Sequence, residues 1–339
     1  MSPRAFICGL SGTELTPEER LFVDHAEPWG IILFARNIRD AAQVRALVDE
    51  VRALLGRGDM PVLIDQEGGR VQRARPPLAE RHPPPRAYAD LYARNREAGL
   101  AAAKLGARLI AHELKELHLN VDCLPLLDLV FEGAHDIVGD RSYGAAPHPV
   151  AALGRAVCEG LLDGGVLPVV KHIPGHGRAL ADSHLELPRV TTSVPELQRT
   201  DFAPFRMLND MPLAMTAHVL YTALDPDRPA TLSRVVVQDV IRGFIGFDGA
   251  LMSDDLSMKA LSGGLGQRAE ESFAAGCDLA LHCNGNLEEM REVAQASPRL
   301  EGDAERRCLA ALARLGAPQP FDIEHARETV RGLLPTEIV

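Results

Sequence analysis

Short apolar runs alternate along the chain with segments whose apolar residues recur three or four positions apart. The runs are five or six residues long and nearly free of charge, which is typical of strands buried on both faces. They lie at 5–10, 30–34, 61–65, 120–124, 167–172, 213–218, 249–253 and 277–282. The helical spacing between them predicts helices at 41–55, 94–117, 149–162, 194–208, 234–243 and 270–275.

Eight such strands alternating with helices predict an α/β fold, a single (β/α)8 TIM-type barrel. Such barrels need about 250 residues, and further helices predicted at about 286–297, 301–315 and 322–333 take up the remainder. We expect residues 1–339 to form one domain, because no Ser/Gly-rich linker or charge block divides them. The alternative, an open doubly wound sheet, would want a GxGxxG loop after the first strand, and GLSGTEL at 9–15 lacks that spacing.

Composition narrows the range of functions. The 36 basic and 47 acidic residues give a net charge of −11 with no basic stripe, so we expect no nucleic-acid partner. No apolar run approaches 18 residues, and the first apolar run is too short for a signal peptide, so we expect no membrane contact and a cytoplasmic location. The six scattered cysteines are interpreted as reduced thiols.

Aromatic residues make up only 4% of the chain, which argues against a long cleft that stacks sugars and favours a small site. The one tryptophan, Trp29, is expected just before a strand and in a packing role. A proline cluster at 76–77 and 83–85 is predicted to form a loop on the active face.

Titratable residues are concentrated in the loop 171–184, KHIPGHGRALADSH, which follows a predicted buried strand. Asp182 and His184 are two positions apart, so the carboxylate could orient the imidazole as a proton shuttle. The alternative is a simple Asx-turn followed by an exposed histidine. Lys171 ends a buried strand, and a buried lysine costs several kcal/mol unless it is paired or faces a polar cavity. His172 could instead be a satisfied core histidine, and the role of His176 is left open between structure and function.

Other polar groups follow the remaining strands, at the end where barrel enzymes place their chemistry. Asp254 and Asp255 come at the end of the seventh strand, where we expect Asp254 to be a nucleophile and Asp255 a helix cap or supporting residue. Asp65, Arg73 and Arg141 could bind sugar hydroxyls, since carboxylates accept and arginine donates in a fork. Glu67 and Arg70 are expected to pair with each other.

These residues resemble the family 3 glycoside hydrolases, specifically the bacterial β-N-acetylhexosaminidases of cell-wall recycling. Six motifs occur in family order over nearly the whole chain. They are GIILFARN at 30–37, DQEGGRVQR at 65–73, DRSYG at 140–144, KHIPGHG at 171–177, DSH at 182–184 and SDDLSM at 253–258. One departure is Ile173, where the family commonly has an aromatic residue, and we expect it to alter packing under the loop but not the chemistry.

The resemblance implies a retaining exo-β-N-acetylglucosaminidase acting on muropeptides that bear 1,6-anhydro-N-acetylmuramic acid. It implies Asp254 as the nucleophile and His184, held by Asp182, as the acid/base. The implied substrate-binding residues are Asp65, Arg73, Arg141, Lys171 and His172. It also implies a cytoplasmic enzyme without a metal or organic cofactor, and we expect a monomer. Larger relatives carry a second domain, for which this chain has no length.

Three alternatives stay open at this point. A broader exo-β-glycosidase for glucosides or xylosides would use the same fold. A metal-dependent hydrolase could use His172, His176, His184 and Asp182 as ligands, although no helix-spaced pair and no HExxH occurs. A non-catalytic sugar-binding barrel would not need both Asp254 and His184.

Overall fold

Eight parallel strands close into a barrel in the computed structural model, which describes residues 2–133, 138–179, 183 and 186–334. Each strand pairs with its neighbours in the chain, and the first pairs with the eighth. The (β/α)8 barrel predicted from the sequence is therefore confirmed. The strands are β1 Arg4–Gly9, β2 Pro28–Leu33, β3 Val62–Ile64, β4 Val121–Asp122, β5 Leu167–Ile173, β6 Leu213–Thr216, β7 Ala250–Asp255 and β8 Leu279–His282.

Alternate residues of each strand enter two different cores, because successive side chains of a strand point to opposite faces. In β1, Ala5 and Ile7 point into the barrel, whereas Phe6 and Cys8 pack against the surrounding helices. The interior core is completed by residues from the C-terminal region, which close the bottom of the barrel: Leu300, Cys308 and Ala311. The described residues thus fill the barrel interior with a packed apolar core, so a site formed by the strands lies at their ends rather than inside the barrel.

Helices surround the barrel. They are α1 Pro17–Ala26, α2 Ala41–Leu55, α3 Pro85–Arg94, α4 Arg96–Glu116, α5 Pro147–Asp163, α6 Val194–Arg199, α7 Ala203–Met207, α8 Leu265–Ala275, α9 Leu287–Ala296, α10 Gly302–Leu312 and α11 Ile323–Leu333. A π-helix spans Val235–Ile245, and single 3₁₀ turns lie at Ala35–Asn37, Gly139–Arg141 and Ala230–Leu232. No helix in the described part of the chain is long and apolar enough to cross a membrane.

Two helices were missed although their start signals are present in the sequence. Thr16 and Glu19 form a reciprocal capping box at the start of α1. Pro85 is the first residue of α3, so part of the proline cluster begins a helix rather than extending a loop. The single helix predicted at 194–208 is in fact two, α6 and α7. Trp29 lies within β2, not before it, and its predicted packing role is confirmed because it is buried in the barrel interior.

Two short ribbons add to the rim. Gln66–Gly68 pairs antiparallel with Val71–Gln72 directly after β3, and Arg189–Val190 pairs parallel with Leu220–Tyr221. The first ribbon turns at Gly68 and Gly69, whose φ values of 87° and 57° favour glycine. Since this turn folds the chain back over the barrel, it brings the segment after Asp65 into the site.

Candidate active site

A cavity of about 210 Å³ lies at the C-terminal ends of the strands. The structure brings together around it six of the residues expected from the sequence: Asp65, Arg73, Arg141, Lys171, His172 and Asp254. They come from β5, β7 and the segments after β3 and β4, so their separation in sequence is large. The common rim expected for strand-end residues therefore exists, and it encloses a small site rather than a long cleft.

The two residues expected to move the proton, Asp182 and His184, lie outside the described residues. Ser183, between them in the sequence, is described and lines the cavity. Its hydroxyl lies 3.2 Å from Nε2 of His176, and its carbonyl accepts a hydrogen bond of 3.2 Å from the backbone N–H of Ala260.

Five charged side chains form a continuous chain of ion pairs along one wall of the cavity. Asp65 binds Arg73 through one carboxylate oxygen and Lys171 through the other, each at 3.0 Å. Lys171 also contacts Glu67 at 2.6 Å, and Glu67 receives two hydrogen bonds from Arg141, at 2.7 and 2.8 Å. A carboxylate has about four acceptor sites, so Asp65 can still accept from a ligand hydroxyl.

The ion pairs hold these groups in their charged forms. Burial raises the pKa of the Glu67 carboxyl, but Arg141 and Lys171 together lower it from 4.5 to about 2. Burial likewise raises the pKa of Asp65, and Lys171 and Arg73 bring it well below its usual value. Burial lowers the pKa of Lys171, yet the two carboxylates raise it above its usual value. Pairing with Asp65 and Glu67 thus offsets the free-energy cost of several kcal/mol that was expected for burying the Lys171 ammonium group.

Glu67 is a site residue that sequence reasoning placed wrongly. It was expected to pair with Arg70, three positions later, but it binds Lys171 and Arg141, while Arg70 forms an ion pair with Asp140 at 2.9 Å. The tight glycine turn after Glu67 separates it from Arg70 in space. Its position two residues beyond Asp65, next to that turn, is the signal that could have indicated a rim position.

Asp128 was also missed as a functional residue, although the sequence places it shortly after the fourth strand. Its buried carboxylate accepts hydrogen bonds from the backbone N–H of His172 at 3.3 Å and of His176 at 2.6 Å. It also contacts Nδ1 of His172 at 2.7 Å. Because an ionised carboxylate can only accept, Nδ1 carries a proton, and the ring is fixed with Nε2 towards Asp254.

Asp254 lies within β7 rather than after it, and its side chain is buried at the cavity wall. One carboxylate oxygen, Oδ1, accepts a hydrogen bond of 2.7 Å from the backbone N–H of Asp255, and Oδ2 lies 4.0 Å from Nε2 of His172. Burial raises the pKa of Asp254, but charge attraction from the His172 and His218 rings in their protonated forms, together with the N–H of Asp255, outweighs burial and lowers it below its usual value. The carboxylate is therefore ionised at neutral pH.

The expected cap role of Asp255 is corrected by the structure. The next helix, α8, begins at Leu265, so Asp255 does not cap it. Its carboxylate accepts from the backbone N–H and hydroxyl of Ser257, at 3.0 and 2.7 Å, and from the backbone N–H of Cys283, at 3.1 Å. Asp255 thus ties the end of β7 to the end of β8, which is the supporting role named as the other possibility.

The ring of His176 is buried at the cavity edge, where burial lowers its pKa to about 4. It is neutral at physiological pH, and its backbone N–H anchors the loop to Asp128. Among the residues that the structure describes, no group of three or more His, Cys, Asp or Glu side chains could hold a metal ion. Two of the four residues considered as metal ligands, Asp182 and His184, are not among them.

Comparison with known proteins identifies the family. The model of the glycosyl hydrolase family 3 N-terminal domain matches residues 10–315. The chain belongs to glycosyl hydrolase family 3. It is therefore a glycoside hydrolase, in agreement with the resemblance seen in its motifs.

Two similar curated proteins are both named beta-hexosaminidase. The protein of Alkalilimnicola ehrlichii is 42% identical over 280 residues, covering 81% of this chain and 79% of the relative. That of Aromatoleum aromaticum is 37% identical over 335 residues, covering 96% and 93%. The first alignment covers about four fifths of each chain, and the second covers nearly the whole of both chains.

Solved structures agree in fold. NagZ from Neisseria gonorrhoeae, in complex with N-trifluoroacetyl-D-glucosamine, matches with a TM-score of 0.89 and 32% identity over 98% of both chains. A family 3 beta-N-acetylglucosaminidase from Paenibacillus matches with a TM-score of 0.86 and 31% identity, covering 97% of this chain but 66% of that one. This family 3 chain is thus similar in extent to NagZ.

Proposed function

We propose that this family 3 hydrolase is a retaining exo-β-N-acetylglucosaminidase that removes terminal β-linked N-acetylglucosamine. Its proposed substrates are muropeptides bearing 1,6-anhydro-N-acetylmuramic acid, and its proposed setting is peptidoglycan recycling in the cytoplasm. We also propose that residues 1–339 act as one catalytic domain, as a monomer, without a metal, a cofactor or a nucleic-acid or membrane partner.

The observation that carries the proposal is an ionised, buried carboxylate beside a small cavity lined by fixed donors and acceptors. Asp254 supplies the carboxylate, and the ion-paired wall of Asp65, Lys171 and Arg73 supplies the polar groups. A sugar ring presents vicinal hydroxyls that both donate and accept, which matches a wall of alternating charge. The cavity volume of about 210 Å³ favours a single terminal sugar, that is, an exo-acting enzyme.

In the proposed mechanism, Asp254 attacks the anomeric carbon and forms a covalent glycosyl-enzyme, which water then hydrolyses. Oδ2 is the oxygen for this attack, since Oδ1 is held by the N–H of Asp255. His184, oriented by Asp182, donates a proton to the leaving oxygen and later takes one from water. Histidine has an unperturbed pKa of about 6.5, near the working pH, and adds no second anion beside Asp254.

The preference for an N-acetylated sugar is supported by the relatives. The similar chains are named beta-hexosaminidase, and the NagZ structure contains N-trifluoroacetyl-D-glucosamine. A specific alternative is a broader exo-β-glycosidase, because the hydroxyl-binding wall would also suit glucosides and xylosides. Comparing chromogenic β-N-acetylglucosaminide, β-glucoside and β-xyloside distinguishes the two, and equal kcat/KM values would contradict the narrower function.

Replacing the nucleophile tests the mechanism. Asp254→Ala is expected to lower kcat by several orders of magnitude, because the covalent route is lost. Asp303→Asn is the matched control: this aspartate lies in α10 at the opposite end of the barrel, is largely exposed, and should leave kcat unchanged. Wild-type turnover by the Asp254 variant would end the assignment.

Product stereochemistry tests the double displacement directly. Proton NMR of the early reaction should show the β-anomer of N-acetylglucosamine before mutarotation. Initial appearance of the α-anomer would mean inversion.

Loss of activity on treatment with EDTA, restored by zinc, would instead favour the metal-dependent hydrolase considered from the sequence.

A further inference from the structure

A chain of hydrogen bonds lies behind Asp254 and runs through the side chains of Thr216, Thr231 and His218. The backbone N–H of Asp254 donates to the hydroxyl of Thr216 at 3.3 Å, and that hydroxyl lies 2.7 Å from the hydroxyl of Thr231. The Thr231 hydroxyl lies 2.7 Å from Nδ1 of His218, whose Nε2 lies 3.0 Å from the carbonyl of Asp255. The chain thus begins and ends on the backbone at Asp254 and Asp255.

This chain of side chains occurs where regular sheet pairing stops. The pairing of β6 with β7 continues through Met215 and Met252 and includes no residue beyond Met252. The side chains of Thr216 and His218 then take over the backbone contacts that a longer β6 would make. All three polar side chains are fully buried, with 0% of each residue exposed, so water does not compete for these contacts.

The proton positions follow from the partners. Nε2 of His218 faces a carbonyl, which can only accept, so Nε2 carries a proton. If the ring is neutral, Nδ1 is an acceptor and must receive the Thr231 proton. Thr231 then accepts from Thr216, whose hydroxyl accepts from the N–H of Asp254. In this arrangement every hydrogen-bond donor of the chain has an acceptor, and every acceptor has a donor.

The competing arrangement is less favourable. Thr231 also lies 3.1 Å from the carbonyl of Ala217, and if it donated there, His218 would need protons on both nitrogens. Burial opposes a charged ring and lowers the pKa of His218, although Asp254 and Asp255 act in the opposite direction. A neutral His218 ring with its proton on Nε2 therefore agrees with the hydrogen-bond distances and also avoids a buried positive charge.

We propose that Thr216, Thr231 and His218 are positioning residues that fix the backbone of Asp254 for attack, with His218 as the neutral Nε2–H tautomer. This rests on the proposed role of Asp254 as nucleophile. A displacement of about 1 Å at a reacting group can cost on the order of 100-fold in rate. Loss of a hydroxyl from the chain should therefore lower kcat, whereas substrate binding, which depends on the ion-paired wall, should change little.

The tautomer is measured by long-range ¹H–¹⁵N NMR of the wild-type enzyme labelled at its histidines. The His218 signal is assigned by its disappearance in His218→Gln. The expected result at pH 7 is a protonated Nε2 and an unprotonated Nδ1. A proton on Nδ1 alone, or on both nitrogens, would overturn the proposed chain without any variant needing to retain activity.

Kinetics of Thr231→Val, which removes the hydroxyl while keeping the shape, tests the positioning role. We expect kcat to fall about 10- to 100-fold with KM changed less than about threefold. Thr231→Ser should restore most of kcat. Thr222→Val is the matched control, because Thr222 makes only a long hydroxyl contact of 3.4 Å with Val190 away from the cavity. Wild-type kcat in Thr231→Val, or a change in KM alone, would refute the role.

The two hypotheses can fail separately. If Asp254→Ala remains active, the proposed nucleophile is wrong, whatever the Thr231 variant does. If Asp254→Ala is inactive while Thr231→Val keeps full kcat, the proposed function stands and the positioning role fails. Thermal unfolding of each variant shows whether a lower rate reflects a smaller folded fraction.

Discussion

Glu67→Gln isolates the contribution of the ion-paired wall to stability. Glutamine keeps the shape of the side chain but removes its charge, which leaves two cations near the cavity with one carboxylate fewer. The Glu67 side chain is 0% exposed, and its partners Lys171 and Arg141 are 2% and 12% exposed. Removing one member of a buried ion pair typically costs about 3–5 kcal/mol, because the remaining charge is left uncompensated.

The pKa of Glu67 gives a second estimate of the same cost. The carboxyl pKa falls from 4.5 to about 2 in the folded protein. At about 1.4 kcal/mol per pH unit, the ionised form stabilises the fold by about 3 kcal/mol. Lys171 keeps its second partner, Asp65, so we expect the lower end of the range, about 3 kcal/mol.

The effect should depend on pH in a defined direction. Because the folded-state pKa of Glu67 is depressed, its contribution is fully present above about pH 4.5 and is lost as the pH falls towards about 2. The difference in unfolding free energy between wild type and Glu67→Gln should therefore be constant near neutrality and shrink below pH 4.5. Other carboxyl groups titrate in both proteins and largely cancel in this difference.

Urea unfolding followed by tryptophan fluorescence measures this difference. The chain has one tryptophan, Trp29, which is buried in the barrel interior and therefore reports on opening of the barrel. Glu14→Gln is the control, because its ion pair with Arg39, at 3.8 Å, is exposed and should contribute no more than about 1 kcal/mol. The reasoning would be refuted if Glu67→Gln lost no more unfolding free energy than this control. It would also be refuted if the loss in Glu67→Gln were the same at pH 3 as at neutral pH.

Two further predictions concern the backbone and rings around the cavity. Asp128→Asn should lower kcat/KM by on the order of 100-fold in steady-state kinetics. The reason is that an amide can turn its N–H₂ group towards His172 and then no longer fixes the proton on Nδ1. A wild-type value would contradict the positioning of His172. Gly177→Ala should lower both activity and thermal stability, because the added Cβ would lie 1.8 Å from the carbonyl oxygen of Leu129. Gly58→Ala is the control and should change neither activity nor thermal stability, because the space around its Cβ is open.

Much of the barrel could be predicted because its strands are locally encoded. Runs such as Val166–Val170 are apolar on both faces, and α2 was predicted with the bounds that the structure shows. The missed helices α1 and α3 carry their own start signals, a capping box and an N-terminal proline. Both helices are therefore encoded locally as well.

The site was only partly predictable, because ion pairing depends on distant elements. Lys171 could be placed at the rim as a strand-end residue, but its two carboxylate partners come from a segment more than 100 positions earlier. Sequence proximity suggested Arg70 for Glu67, whereas the glycine turn directs Glu67 to Arg141, 74 positions away. Asp128 was visible only as a charge after a strand, with nothing to show that it holds two loop N–H groups and a ring.

The sequence by itself determined the barrel, the rim and the kinds of side chain placed there, because apolar periodicity and strand-end position are local properties. Tertiary structure decided which charges meet, which oxygen of Asp254 the N–H of Asp255 holds, and which ring nitrogen of His172 contacts Asp128. These depend on distances of a few ångströms between residues from different strands. Such distances arise only when the barrel closes and excludes water, since hydrogen bonds and ion pairs then become both strong and obligatory.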